Sequence, residues 1–356
     1  MKVKALRLRD FRNIAGLEIE PCETVNIIYG ENAQGKTNLI EALWLFSGMK
    51  SFRGAKDAEL VRFGAERAGL SLRFESGGRE QEAKLTVTNR RTASLNGVGL
   101  SSPTGLIRQF RAVVFAPSFL SIVQSGPGER RRFLDTAVCQ TLPAYPKILT
   151  EYQRLLKQRN AALRDPKAES RLEELLDVLD IQLAAAAETV AKARIGYLEK
   201  LSPAAEAVYE GLSGGREAIS FLYRTRFGND NGTYLEQLAA HRRTDILSRT
   251  TNVGPHRDDL EICISGASAR LYGSQGQQRS AALSMKLAEA AVLHNETGEQ
   301  PVILLDDVMS ELDARRQDYV LNHIEDRQVF ITCCDPENFK RLTGGRTFFV
   351  KEGSVF

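Results

Sequence analysis

Apolar positions fall into two regimes along the chain. From the start to about residue 116, and again from about 256 onward, they come in short runs or in alternation, the period of strands. Residues 2–8, 17–20, 24–29, 70–75, 83–88, 92–95 and 112–116 read as strands in the first stretch, and 259–264, 301–305 and 328–332 in the last. Asn96-Gly97 is a hairpin signal, because both residue types tolerate the positive φ of a tight primed turn. Between 117 and 255 the spacing becomes helical. Leu172, Leu175, Leu176, Leu179, Leu183, Ala186 and Val190 recur three and four apart with charges between them. Further helical stretches cover 147–164 and 279–294. The pattern predicts an α/β lobe built from both chain ends, residues 1–116 and 256–356, with a mainly helical lobe, 117–255, inserted between them.

Composition narrows this little. The chain has 356 residues, 42% hydrophobic and 26% charged, as in soluble globular proteins. No apolar run approaches the roughly 20 residues of a membrane span, and Met1–Leu8 alternates instead of forming a signal-peptide core. A cytoplasmic protein with no membrane attachment is expected. The five Cys residues, at 22, 139, 263, 333 and 334, lack metal spacing, and Cys333-Cys334 reads as a pair of buried reduced thiols. A net charge of +3 is too small to declare a nucleic-acid binder. Residues 130–167, however, hold nine Lys and Arg against three Asp and Glu. This run is either a solvated helix face or a surface for DNA phosphates, with Arg130, Arg131, Arg132, Arg154 and Lys157 as the candidate contacts.

Candidate chemistry changes the picture more. Gly30-Glu31-Asn32-Ala33-Gln34-Gly35-Lys36-Thr37 fits G-x-x-x-x-G-K-[ST] and stands between a strand and a helix. Strand, Gly-rich turn and helix N-terminus gather backbone N–H donors and the positive end of a helix dipole at one point, which suits a triphosphate. Lys36 reaches the β- and γ-phosphates and Thr37 holds Mg²⁺ in this reading. Leu304-Leu305-Asp306-Asp307 ends an apolar strand in two carboxylates. Asp306 is the second candidate Mg²⁺ ligand, and Asp307 the group that orients the attacking water. Ser274-Gln275-Gly276-Gln277-Gln278-Arg279 precedes a helix. It is either a second anion site or a plain N-cap with a polar first turn.

Together with Leu8-Arg9-Asp10-Phe11-Arg12-Asn13, Phe115-Ala116-Pro117, Gly126-Pro127-Gly128-Glu129-Arg130-Arg131-Arg132-Phe133-Leu134-Asp135, Gly254-Pro255-His256-Arg257-Asp258-Asp259 and Leu305–Asp313, these segments resemble the RecF family. That family comprises bacterial recombination mediators, relatives of the SMC and Rad50 heads within the ABC-type ATPases. The resemblance spans nearly the whole chain. It implies ATP and Mg²⁺ as cofactors, and a head-to-tail homodimer formed on ATP. Ser274, Gly276 and Gln277 would face the γ-phosphate held by the other subunit, with Ser310–Asp313 at the boundary. It further implies Arg12 and Asn13 near the base or ribose, with slow hydrolysis on Lys36 and Asp307 as a timing switch. Partners implied are DNA at single-strand/double-strand junctions, RecO, RecR and RecA, the last loaded at gaps. The segment 256–259 reads as structural or lobe-coupling, since its charges can pair with one another.

The chain departs from the family pattern at two places. Ser118-Phe119 stands where relatives carry an acidic pair, and Ile331-Thr332-Cys333-Cys334 lacks the γ-phosphate-sensing His of ABC ATPases. Gln109 and Gln124 are both candidates for the Q-loop glutamine. The alternatives are an ABC-type ATPase subunit of another machine, a small-molecule P-loop kinase, for which the Ser274 segment is surplus, and an SMC-type tether, for which 117–255 is too short.

Overall fold

The strand Lys2–Phe11 buries alternate side chains because one face meets a core and the other meets solvent. It belongs to a six-stranded antiparallel sheet. From edge to edge the strands are Ile14–Ile19, Lys2–Phe11, Ala68–Ser76, Arg79–Val87, Arg91–Leu95 and Val98–Leu100. Asn96 and Gly97, at φ 49° and 81°, make the primed turn of the last hairpin. A second six-stranded sheet runs Ser354–Val355, Arg346–Lys351, Val25–Tyr29, Val329–Cys333, Val302–Leu305 and Ala112–Phe115. Its pairings are parallel except for the terminal hairpin. Val302–Leu305 and Val329–Cys333 are buried along their whole length, which is why they read as unbroken apolar runs.

The alternation of side chains across this second sheet creates two cores. Ile28, Val114, Val302, Leu304 and Phe330 point toward the antiparallel sheet, with Leu39, Ile40, Leu43 and Trp44 of the helix Lys36–Leu45 in the same cluster. Ile27, Phe115, Ile303, Leu305, Val329 and Ile331 point the other way, onto Leu283, Leu287, Ala290 and Leu293 of the helix Gln275–Thr297. The strand carrying the phosphate loop is thus gripped on both faces.

This computed structural model describes residues 1–165, 171–225, 232–324, 326–335 and 345–356. They divide into two compact units, each discontinuous in sequence. The first contains 1–120, 207–215 and 282–356, and the second 121–206 and 216–281. Residues 256–281, expected with the nucleotide lobe, lie in the second unit. The reason is a strand inside the stretch expected to be helical: Ile219–Arg224 pairs antiparallel with Asp259–Ile264 and draws it in. The expected apolar stripe also shifts. Leu175 is exposed, while Leu176, Leu183, Ala187 and Val190 are buried on the 42-residue helix Leu172–Ser213. Among the described residues no helix is long and apolar enough to cross a membrane. Lys167, counted in the basic run, lies outside the described residues.

Candidate nucleotide site

The loop after Val25–Tyr29 has no room for side chains at its two glycines. Gly30 has φ 150°, and a Cβ there would collide with the carbonyl oxygen of Val350. Gly35 has φ 117°, and a Cβ there would lie 2.8 Å from the carboxamide oxygen of Asn13. The amides of Asn38 and Leu39 donate to the Gly35 carbonyl at 3.0 and 3.3 Å, which starts the helix at Lys36. The loop is tied from both sides. The Gln34 carbonyl accepts from Asn13 Nδ2 at 3.1 Å and from the Gly353 amide at 2.9 Å, and Gln34 Oε1 accepts from the Glu352 amide at 2.6 Å. Glu31, Asn32 and Ala33 at its crest are exposed.

Lys36 is only 4% exposed. Its ammonium donates to the carbonyls of Gly30 at 2.7 Å and Glu31 at 2.9 Å, and stands 3.8 Å from Cys334 Sγ. No carboxylate pairs with it among the described residues. Cys333 is buried, which pushes its thiol up to about 12. Cys334 is exposed, contrary to the expectation of two buried thiols, because the strand ends at Cys333. Its thiol donates to Asn32 Oδ1 at 3.2 Å.

The carboxylates stand two strands away from the loop's own strand. Thr37 Oγ1 donates to Asp306 Oδ1 at 2.8 Å, so the two expected metal ligands are adjacent. Burial raises the Asp306 pKa, the Asp307 charge adds to this, and the Thr37 and Thr332 hydroxyls oppose it. Thr332 was not foreseen. Its hydroxyl donates to Asp306 Oδ1 at 3.0 Å and accepts the Asp307 amide at 2.8 Å. Asp307 itself has φ 51°. Among the described residues no three His, Cys, Asp or Glu gather as a metal cage. A hydroxyl and a carboxylate side by side are hard oxygen donors, and they fit Mg²⁺ completed by phosphate and water.

Arg12 and Asn13 serve the loop's supports. Arg12 grips Glu41 of the helix Lys36–Leu45 with Nε at 2.8 Å and Nη2 at 2.9 Å, and donates from Nη1 to the Glu59 carbonyl at 3.0 Å. Glu41 is fully buried and also accepts from Ser51 Oγ at 2.5 Å. To touch a base or ribose, Arg12 would have to leave this pair. Asn13 lies against the loop, accepting from Asn38 Nδ2 at 2.8 Å.

In the second unit Ser274 is exposed at the start of its helix. Ser274 Oγ accepts from the Gln277 amide at 3.3 Å and Gln277 Oε1 accepts from the Ser274 amide at 2.7 Å, a reciprocal cap. Gln277 Nε2 is held by Glu217 at 2.7 Å, and Gly276 adds no side chain to the first turn. Gln124 donates to Gln278 Oε1 at 3.0 Å within the same unit. In the first unit Asp313 caps the helix Ala314–Asn322, and Ser310 donates to the Asp307 carbonyl at 2.8 Å.

The basic run is not one surface. Arg130 is 4% exposed and grips Asp259 at 2.6 and 2.9 Å, which removes it from the DNA candidates. Its position one turn into the helix Pro127–Thr141 points it inward. Arg131 is half-buried and donates to the Asp258 carbonyl at 2.7 Å. Arg159 is fully buried between Asp180 at 2.6 Å and Asp245 at 2.7 Å. Arg132, Arg154 and Lys157 are exposed, Arg154 lying against Glu151 and Gln158. The 256–259 charges pair outward within their unit, not with one another. Asp258 accepts from Tyr223 and Tyr234 at 2.9 and 3.2 Å, and Asp259 takes Arg130. His256 accepts from the Tyr152 hydroxyl at 2.6 Å and donates from Nε2 to the Thr251 carbonyl at 3.0 Å, and burial lowers its pKa to about 4.

A phosphate loop, a hydroxyl–carboxylate pair beyond the next strand and a separate Ser-Gly helix start define a P-loop head of the SMC class. The family model for the RecF/RecN/SMC N terminal domain matches residues 2–352. The DNA replication and repair protein RecF of Ruminiclostridium cellulolyticum is 39% identical over 362 residues, covering 99% of this chain and 97% of its own. Its counterpart from Heliobacterium modesticaldum is 41% identical over 343 residues, covering 93% and 92%. The chain belongs to the RecF family. A solved structure of the recombination mediator protein RecF-ATP in the RecFOR pathway superposes with TM-score 0.92 at 36% identity, covering 100% of this chain and 97% of that one. An Smc head domain from Pyrococcus furiosus, at 15% identity and TM-score 0.56, shares the fold.

Proposed function

We propose that this chain is an ATP-operated DNA clamp of replication and recombinational repair, active at single-strand/double-strand junctions with RecO and RecR to load RecA. The observation that carries the nucleotide part is the buried Lys36 ammonium, with no carboxylate partner among the described residues, beside the Thr37–Asp306 pair. The RecF-ATP structure, alike over the whole chain, supports the same reading.

Lys36 exchanges its carbonyl partners for β- and γ-phosphate oxygens, a charge-assisted contact stronger than the one it gives up. The loop amides and the helix N-terminus hold the remaining phosphate charge. Mg²⁺, when bound, neutralises charge on the phosphates and fixes their orientation. Thr37 and Asp306 hold the metal, and Asp307 orients the water that cleaves the γ-phosphate. Ser274, Gly276 and Gln277 of one subunit face the γ-phosphate of the other, so ATP favours the dimer by contacting both. Cleavage removes that contact and releases the pair.

Sharing between chains is tested by mixing. Lys36→Ala breaks a subunit's own loop, and Ser274→Arg leaves that loop intact but blocks the partner's site. Each variant alone should lose ATP-driven dimerisation, while Ser274→Arg still binds ATP. Mixed, they form a heterodimer with one intact site, detected by fluorescence transfer between labelled variants. Ser274→Arg dimerising on ATP like wild type would overturn sharing in trans. Asp307→Asn should retain ATP and the dimer but slow cleavage by about 10²–10⁴-fold, the range for a lost general base. Cleavage at the wild-type rate removes that role from Asp307.

A further inference from the structure

We infer that Thr332 is the positioning residue of the Mg²⁺ site, fixing both carboxylates through one hydroxyl. The inference rests on the nucleotide reading above and adds a residue to it. Thr332 sits on Val329–Cys333, the strand between the loop's strand and the carboxylate strand. It is 1% exposed, so its hydroxyl is shielded from bulk water. A threonine hydroxyl has one proton to give and lone pairs to receive. Here the proton goes to Asp306 Oδ1 at 3.0 Å, and a lone pair takes the Asp307 amide at 2.8 Å.

Two hydroxyls meet at Asp306 Oδ1, those of Thr37 and Thr332. They are not equivalent. Thr37 is itself a ligand of the proposed metal, so its hydroxyl serves the metal and Asp306 together. Among the described residues the Thr332 hydroxyl bonds only Asp306 and the Asp307 amide, so its hold on the carboxylate does not depend on the metal. It fixes the carboxylate rotamer from behind, leaving Oδ2, which carries no hydrogen bond among the described residues, for the metal. The same hydroxyl anchors the backbone of Asp307 in its left-handed conformation at φ 51°, which sets the direction of the next carboxylate. Partners of this kind behind a metal ligand typically change metal affinity by about 10–100-fold.

The test is Mn²⁺ affinity, read by electron paramagnetic resonance with the protein saturated in a non-hydrolysable ATP analogue. Nucleotide affinity in EDTA is measured alongside. Thr332→Val keeps the shape and removes the hydroxyl. It should weaken Mn²⁺ by about 10–100-fold, with EDTA nucleotide affinity unchanged within about twofold, because Lys36 and the loop amides are intact. Thr332→Ser, which restores the hydroxyl, should recover Mn²⁺ affinity to within about threefold of wild type. Thr332→Ala is the second deletion, used if the Val variant does not fold. Wild-type Mn²⁺ affinity in the hydroxyl-less variant overturns the inference. So does an equal loss of metal-free nucleotide affinity, since the role would then be structural. Absence of Mn²⁺–nucleotide binding in wild type would instead overturn the reading on which the inference stands.

Discussion

Lys36 and Arg159 are both cations removed from water, 4% and 0% exposed, and their surroundings are opposite. Arg159 is neutralised by two carboxylates, Asp180 and Asp245, and takes a third bond to Thr251 at 2.9 Å. Among the described residues Lys36 has the Gly30 and Glu31 carbonyls and a thiol, and no carboxylate. A buried cation with carboxylates around it is architecture, because its charge is already matched. A buried cation left to dipoles is held ready for an anion that arrives from outside. The teaching is that burial does not separate the two cases, and the identity of the acceptors does.

The sharpest way to break this contrast is Arg159→Ala. Among the described residues it leaves Asp245 with no cation and Asp180 with Arg242 in place of two cations, in a dry interior, and should lower folding stability by about 3–5 kcal/mol, measured by urea unfolding. Lys36→Ala should leave the urea midpoint nearly unchanged and remove nucleotide binding instead. A costly Lys36 variant beside a harmless Arg159 variant would reverse the assignment.

A smaller effect comes from His256, buried and neutral beside Tyr152. Its pKa is depressed from 6.5 to about 4 by burial. The unfolded chain therefore binds the extra proton first. The contribution to stability is present in full above pH 6.5 and is lost as pH falls from 6.5 toward about 4. It amounts to on the order of 3 kcal/mol. His256→Gln keeps an acceptor for Tyr152 and a donor for Thr251, and should flatten that part of the stability–pH curve. An unaltered curve would place the acid sensitivity elsewhere.

The smallest effect on folding belongs to the exposed basic residues. Arg154→Ala with Lys157→Ala should change stability by less than about 1 kcal/mol. If they meet duplex DNA, each true contact removed should lower the slope of log K against log salt by about 0.9. An unchanged slope would leave Arg132, or a surface outside the basic run, as the phosphate contact.

The same contrast explains what the sequence could tell. That Thr37 and Asp306 come together was legible, because a P-loop is specified by spacing within one loop and its carboxylate partner by the residue that follows an apolar strand. Arg130 was misread because its partner Asp259 comes 129 positions later, and no local pattern announces an ion pair at that range. The strand Ile219–Arg224 was missed for the same reason, since its alternation is short and its meaning comes from pairing with Asp259–Ile264. Arg346–Lys351 was missed too, although it flanks the phosphate-loop strand. Thr332 stood in an apolar run where a β-branched residue is unremarkable, and only the two carboxylates beside it give its hydroxyl a purpose.

The tie between Gln34 and Glu352 spans 318 residues. The strand that leads into the phosphate loop is synthesised long before its sheet neighbours, Val329–Cys333 and Arg346–Lys351. Closing a flexible loop of that length costs about 5 kcal/mol in chain entropy, which the pairing must overcome before the loop has walls. A growing chain therefore carries the full phosphate motif long before it carries the strands that wall the loop. Sheet and receptor are completed by the same late pairing, so nucleotide has no finished loop to template on before the sheet closes.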